Sequence, residues 1–176
     1  MDPISTALLE WHDFFGAVTA IAGTLIGLLF VVIGLNPAIM ADTGHAGMRV
    51  LAAQTFHSFL VLVLIGLAAL VPSDDGTTLL ISLVIVGLQG VVRVVHDVRL
   101  ARTDPDPEWN GRAALTRVIS PTVAYAMVLY AAYGIWRQDV GALDWFVGIV
   151  LLLTISAATS CWDLMEEIGK QAQKAT

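Results

Sequence analysis

Apolar residues in this chain gather into five long runs, at about 14–35, 50–71, 77–96, 115–136 and 143–163. Short polar segments separate them. Within each run every face is apolar, so neither strand alternation nor a single buried stripe describes the pattern. As helices the runs measure roughly 30–33 Å at about 1.5 Å per residue, close to a hydrocarbon core of about 30 Å. Strands of a membrane barrel are shorter and alternate. The pattern predicts an all-α integral membrane protein with five transmembrane helices, built as a single membrane domain over residues 1–176. Asn36-Pro37 closes the first run, and Pro72 with the turn 73–76 closes the second. Pro105, Pro107 and Gly111 make the longest loop irregular, and the polar segment 164–176 reads as a tail continuing the fifth helix.

Composition narrows this further. The chain is 57% hydrophobic and 14% charged, against about 45–50% and about 25% for an ordinary soluble domain. The net charge of −6 is spread along the chain, without the basic stripe that nucleic-acid binding requires. Cys161 is the lone cysteine, which excludes an internal disulfide and a thiolate zinc site. No basic segment or small-residue cleavage pattern precedes the first run, so it is expected to be a retained helix.

Charge also sets an expected direction. Arg137 is the one basic residue on the side that would hold the N-terminus; Arg49, Arg93, Arg99, Arg102, Arg112, Arg117, Lys170 and Lys174 fall on the other. By the positive-inside rule the N-terminus is expected outside and the C-terminus in the cytoplasm, in a bacterial plasma (inner) membrane. Trp11, Trp136 and Trp145 then mark the outer boundary and Trp162 the inner one, the last two about 26 Å apart along one helix.

Three groups of residues carry candidate chemistry. Arg99 and Arg102 lie just past the third run and fit a boundary role toward anionic headgroups. Gln89, Arg93 and His96 share one face of that run at i, i+4 and i+7. The second run brings Gln54, His57 and Ser58 on one face to a comparable depth, so an antiparallel pairing predicts a polar cavity of Gln54, His57, Gln89, Arg93 and His96. The competing reading has Arg93 extending to headgroups and His57 bonded as a core residue. The second group is a stripe of small residues on the first run: Gly16, Ala20, Gly23, Gly27 and Gly34. Such stripes let helix backbones approach closely in lipid, either within the chain or at an oligomer interface or pore lining. The third is Glu10 and Asp13, with His12, at the outer end of the same run, either an acidic outer mouth around a symmetry axis or a solvated helix start.

No nucleophile–base pair, phosphate loop or acidic metal cluster appears, so an enzyme is not expected. The expected function is a small homo-oligomeric membrane channel or passive transport protein. It would handle an ion or small solute, with the lipid bilayer as its surroundings and no cofactor. The alternative is a non-catalytic accessory or assembly subunit of a larger membrane complex. A third reading, a haem-binding subunit, would need His57 and His96 at matching depth on facing helices.

Overall fold

The computed structural model describes residues 3–35, 46–72, 76–103 and 119–174, and every regular element among them is helical. The elements are α1 (Pro3–Glu10), α2 (His12–Leu35), α3 (Ala46–Leu70), α4 (Thr77–Thr103), α5 (Ser120–Trp136), a 3-10 turn (Val140–Asp144) and α6 (Trp145–Lys174). Among the described residues, four stretches are long and apolar enough to cross a bilayer: His12–Leu35, Leu51–Leu70, Thr77–Val95 and Val140–Glu166. The chain is therefore an all-helical protein with the makings of an integral membrane protein.

The expected count of five is not reached among the described residues. The run expected from residue 115 begins as helix only at Ser120 and has 17 residues, about 26 Å and short of the hydrocarbon core. Pro121 in its first turn, which lacks an amide hydrogen and suits a helix start, marks that beginning. Residues 104–118, including the expected loop prolines, lie outside the described residues. One other boundary also differs: α4 runs to Thr103, well beyond the end of its apolar run. α6 continues through the polar tail to Lys174, in line with a tail that prolongs the last helix.

The helix ends follow local chemistry. α3 stops before Pro72, and α4 restarts after Gly76, whose φ of 69° suits glycine and whose carbonyl accepts the Leu80 amide at 3.0 Å. α5 ends with Gln138 at φ 60°, the described non-glycine residue with positive φ. Its amide reaches the Ile135 carbonyl and the Asp139 amide reaches that of Gly134, both at 2.9 Å. The Asp139 carboxylate then accepts the Gly141 amide at 3.0 Å and starts the 3-10 turn that leads into α6.

Four helices pack as a ring: α3 against α4, α4 against α5, α5 against α6, and α6 back against α3. The ring interior is filled by Leu62 and Ile65 of α3, Leu79 and Leu83 of α4, Val128 and Ile135 of α5, and Phe146, Ile149 and Leu153 of α6. α2 lies outside this ring and docks mainly on α3. Only 11% of its apolar window is buried, against 50% for α3. Its core-facing residues are Phe15, Ala22 and Leu29; Phe15 meets Phe146 edge-on at 5.2 Å. α1 folds over this end, with Ile4, Ala7 and Leu8 buried.

Candidate functional site

Close packing between helices depends on small residues, and the structure shows which ones serve. At Gly66 of α3 an added Cβ would overlap Thr19 Oγ1 of α2 and lie 3.2 Å from the Phe15 carbonyl oxygen. At Gly90 of α4 it would overlap the Tyr125 ring. Gly87 and Gly148 give similar room to Leu129 and Met127. The α2 stripe behaves otherwise. Gly16, Gly23, Gly27 and Gly34 have nothing within 4 Å of such an atom, and Ala20 is exposed. Of the two readings of this stripe, close packing within the chain is not what the described residues show. α2 turns about 100–140° of its circumference between Ala22 and the glycines, at about 100° per residue, and its buried side carries bulkier residues.

Gly90 has a second effect, because it seats Tyr125 against α4 where α3 also arrives. A small pocket of about 10 Å³ results, lined by Gln54, His57 and Ser58 of α3, Arg93 and Val94 of α4, and Pro121 and Tyr125 of α5. Arg93 is 16 residues from Thr77, or about 24 Å along α4, so the pocket lies toward the end of the bundle opposite α1. Ser58 Oγ donates to the Gln54 carbonyl at 3.1 Å. The His57 and Tyr125 rings have centroids 6.3 Å apart. His57 Nε2 is buried and has no hydrogen-bond partner in the structure. A cavity of that size admits one water molecule and no more, and a water between Nε2 and the neighbouring polar groups would remove the cost of an unpaired buried nitrogen.

The structure therefore brings Gln54, His57 and Arg93 together, as their sequence pattern suggests. It does not bring Gln89 with them: that side chain is exposed on α4, outside the pocket lining. The side chain of His96 lies outside the described residues. Tyr125 and Pro121 join the pocket without a sequence signal, since their register against α4 is set by Gly90. The haem reading, which needs His96 as the second ligand, therefore has the side chain of one of its two residues outside the described set. No group of three His, Cys, Asp or Glu side chains that could hold a metal ion occurs among the described residues.

At the opposite end, Glu10 and Asp13 are exposed, and His12 Nδ1 stands 3.6 Å from Asp13 Oδ1 with both side chains open to the surroundings. Tyr130 stacks edge-on with Trp145 at 5.0 Å, and Tyr133 lies 5.9 Å from Trp136. Trp136 and Trp145 at this end, and Trp162 toward the other, are exposed, as residues at a bilayer boundary are. Comparison of the chain with known protein families, characterised proteins and solved structures returns no match.

Proposed function

We propose that this chain is one subunit of a small homo-oligomeric channel or passive transport protein, in which an ion or small solute passes at the axis between subunits. The observation that supports this reading is the open glycine stripe of α2. Gly16, Ala20, Gly23, Gly27 and Gly34 run the length of the helix and leave its backbone accessible to a second copy. Glu10 and Asp13 stand exposed at one end of the stripe, where a ring of copies would gather acidic groups attractive to cations. A path through the chain itself is a poor alternative, because the ring interior is filled by Leu79, Leu83, Phe146, Ile149 and Leu153. In this reading α5 is the short fifth span. The N-terminus lies outside and the basic side faces the cytoplasm of a bacterial-type plasma membrane.

A second reading, a non-catalytic accessory subunit that docks α2 onto a different membrane protein, is favoured by the chemistry beside the stripe. Ile21, Leu28, Phe30 and Val31 are exposed, and the exposed hydroxyl of Thr24 is occupied by the Ala20 carbonyl at 2.8 Å. Mass measurement of the chain in lipid nanodiscs, followed by single-channel recording after reconstitution, separates the two. Conductance from an oligomer that Gly23→Leu/Gly27→Leu breaks into folded monomers is the expected result. A silent bilayer, or a folded monomer at every protein concentration, would overturn the channel reading in favour of the accessory one.

A further inference from the structure

A second concavity lies between α4 and α5 at the end marked by Trp136 and Trp145. It is an open groove of about 500 Å³ whose walls are Ile81, Val84 and Ile85 of α4 and Leu129, Tyr133 and Trp136 of α5. Its surface is almost wholly apolar, and buried Ala132 helps to form it. From Leu129 to Trp136 it runs about 10 Å along the helix, which fits within one leaflet of a hydrocarbon core of about 30 Å. In a bilayer such a groove is filled by hydrocarbon.

What distinguishes it from the rest of the lipid-facing surface is the group at its mouth. Arg137 follows the last residue of α5 and is exposed. Its Nη1 donates to the Tyr133 hydroxyl at 3.2 Å, and its guanidinium carbon lies 5.9 Å from the centre of that ring. Tyr133 is itself a groove wall, so the cation is held over the groove. Among the described residues Arg137 makes no ion pair, and the carboxylate two residues on, Asp139, is engaged with the Gly141 amide. Exposed Trp136 beside it sets this position at headgroup depth. A fixed planar cation above an apolar groove matches one occupant in shape and in charge: a phosphodiester with an acyl chain below it.

We propose that the α4–α5 groove is a binding site for one glycerophospholipid, its phosphate on Arg137 and one acyl chain between Val84 and Tyr133. The site holds in whichever leaflet this end of the bundle lies, and it does not depend on the oligomer or channel reading.

The test is lipid retention by the purified full-length chain, read by native mass spectrometry after mixing with phosphatidylglycerol or with phosphate-free diacylglycerol of the same chains. The expected result is preferential retention of the phospholipid. Arg137→Ala should lower phospholipid retention about fivefold, the scale of a partly exposed ion pair, and leave diacylglycerol unchanged. Val84→Phe, which fills the groove from an exposed position, should lower retention of both. Ile81→Trp, also exposed, gives a second blocking variant, and an unchanged melting temperature shows that each variant is folded. Equal phospholipid retention by the wild-type chain and Arg137→Ala would overturn the proposal, leaving only annular lipid. A change of oligomeric mass in both blocking variants, with lipid retention intact, would also overturn it by assigning the groove to a second copy of the chain.

Discussion

Replacing Gly66 by alanine tests the contact that holds α2 to the bundle. The new Cβ overlaps Thr19 Oγ1 and comes 3.2 Å from the Phe15 carbonyl oxygen and 3.3 Å from Thr19 Cβ. Thr19 Oγ1 is fixed in the way by its own 2.8 Å bond to that carbonyl. Relief requires rotating Thr19 away, at a loss of about 0.5–1.5 kcal/mol for the hydrogen bond. It also requires moving two helices apart by a few tenths of an ångström, within the range of about 1–3 kcal/mol typical of overpacking. Alanine is favoured over glycine in a helix by about 1 kcal/mol, which offsets part of this. The expected net effect of Gly66→Ala is a destabilisation of about 1–2 kcal/mol. Thr19→Ala removes the overlapping oxygen, so Gly66→Ala/Thr19→Ala should recover stability with a favourable coupling of about 1 kcal/mol. Gly27→Ala serves as the control. It meets nothing within 4 Å, so the monomer should gain up to about 1 kcal/mol from helix propensity alone. Reversible unfolding of the four members of the cycle in mixed micelles, with Gly27→Ala alongside, supplies the numbers. Additivity within about 0.5 kcal/mol, or an equal cost at Gly66 and Gly27, would refute the packing described for α2 and α3.

Three further outcomes are expected. In a Cys161→Ser background, Asp139→Cys should react with an impermeant thiol reagent from outside intact cells and Asp106→Cys should not; the reverse pattern inverts the proposed orientation. Gln138→Gly should raise stability by about 0.5–1 kcal/mol in a thermal melt, because the residue sits at φ 60° where a side chain is disfavoured; a loss of stability would mean that its side chain makes a compensating contact. Arg93→Leu should cost about 1–3 kcal/mol by removing a polar neighbour of His57 in the pocket, while Arg99→Leu, at an exposed position, should cost less than about 1 kcal/mol. Equal costs in the same melt would place Arg93 in the headgroup layer with Arg99.

The helices were legible because apolar runs longer than a bilayer is thick admit few other structures. Where α5 begins was legible only as a choice, since Ser120-Pro121 can cap a short span or kink a longer one, and Val118 and Ile119 extend the apolar run before it. The polar pocket was legible in part. Gln54, His57 and Arg93 stand out as polar groups within apolar helices, and helical spacing places them on shared faces. Spacing does not say how far each helix is rotated toward its neighbour. Gln89 lies one turn from Arg93 on the same face, yet α4 is turned so that Gln89 is exposed and Arg93 half-buried. Tyr125 was out of reach because its partner in packing, Gly90, belongs to another helix. The glycines carry the same lesson. Gly23 and Gly27 draw attention because they repeat at four residues, but repetition shows only that they share a face. Gly66, flanked at four residues by Leu62 and Leu70, carries no repeat, and it is the glycine that brings α2 and α3 into contact.

The closed ring of α3, α4, α5 and α6 bears on the order in which the chain is made. α3 emerges before the rest of the ring, but one of its two ring neighbours, α6, is translated after α4 and α5. Until then Leu62 and Ile65 have no Phe146, Ile149 or Leu153 beside them, and three helices wait in the membrane around a vacant slot. A nascent chain released before Trp145 therefore cannot complete its interior, however well its first helices insert. Completion by α6 makes the ring a record that synthesis has passed Trp145. A cellular protease that reads unfilled helix faces would distinguish a chain with a closed ring from one cut short before α6.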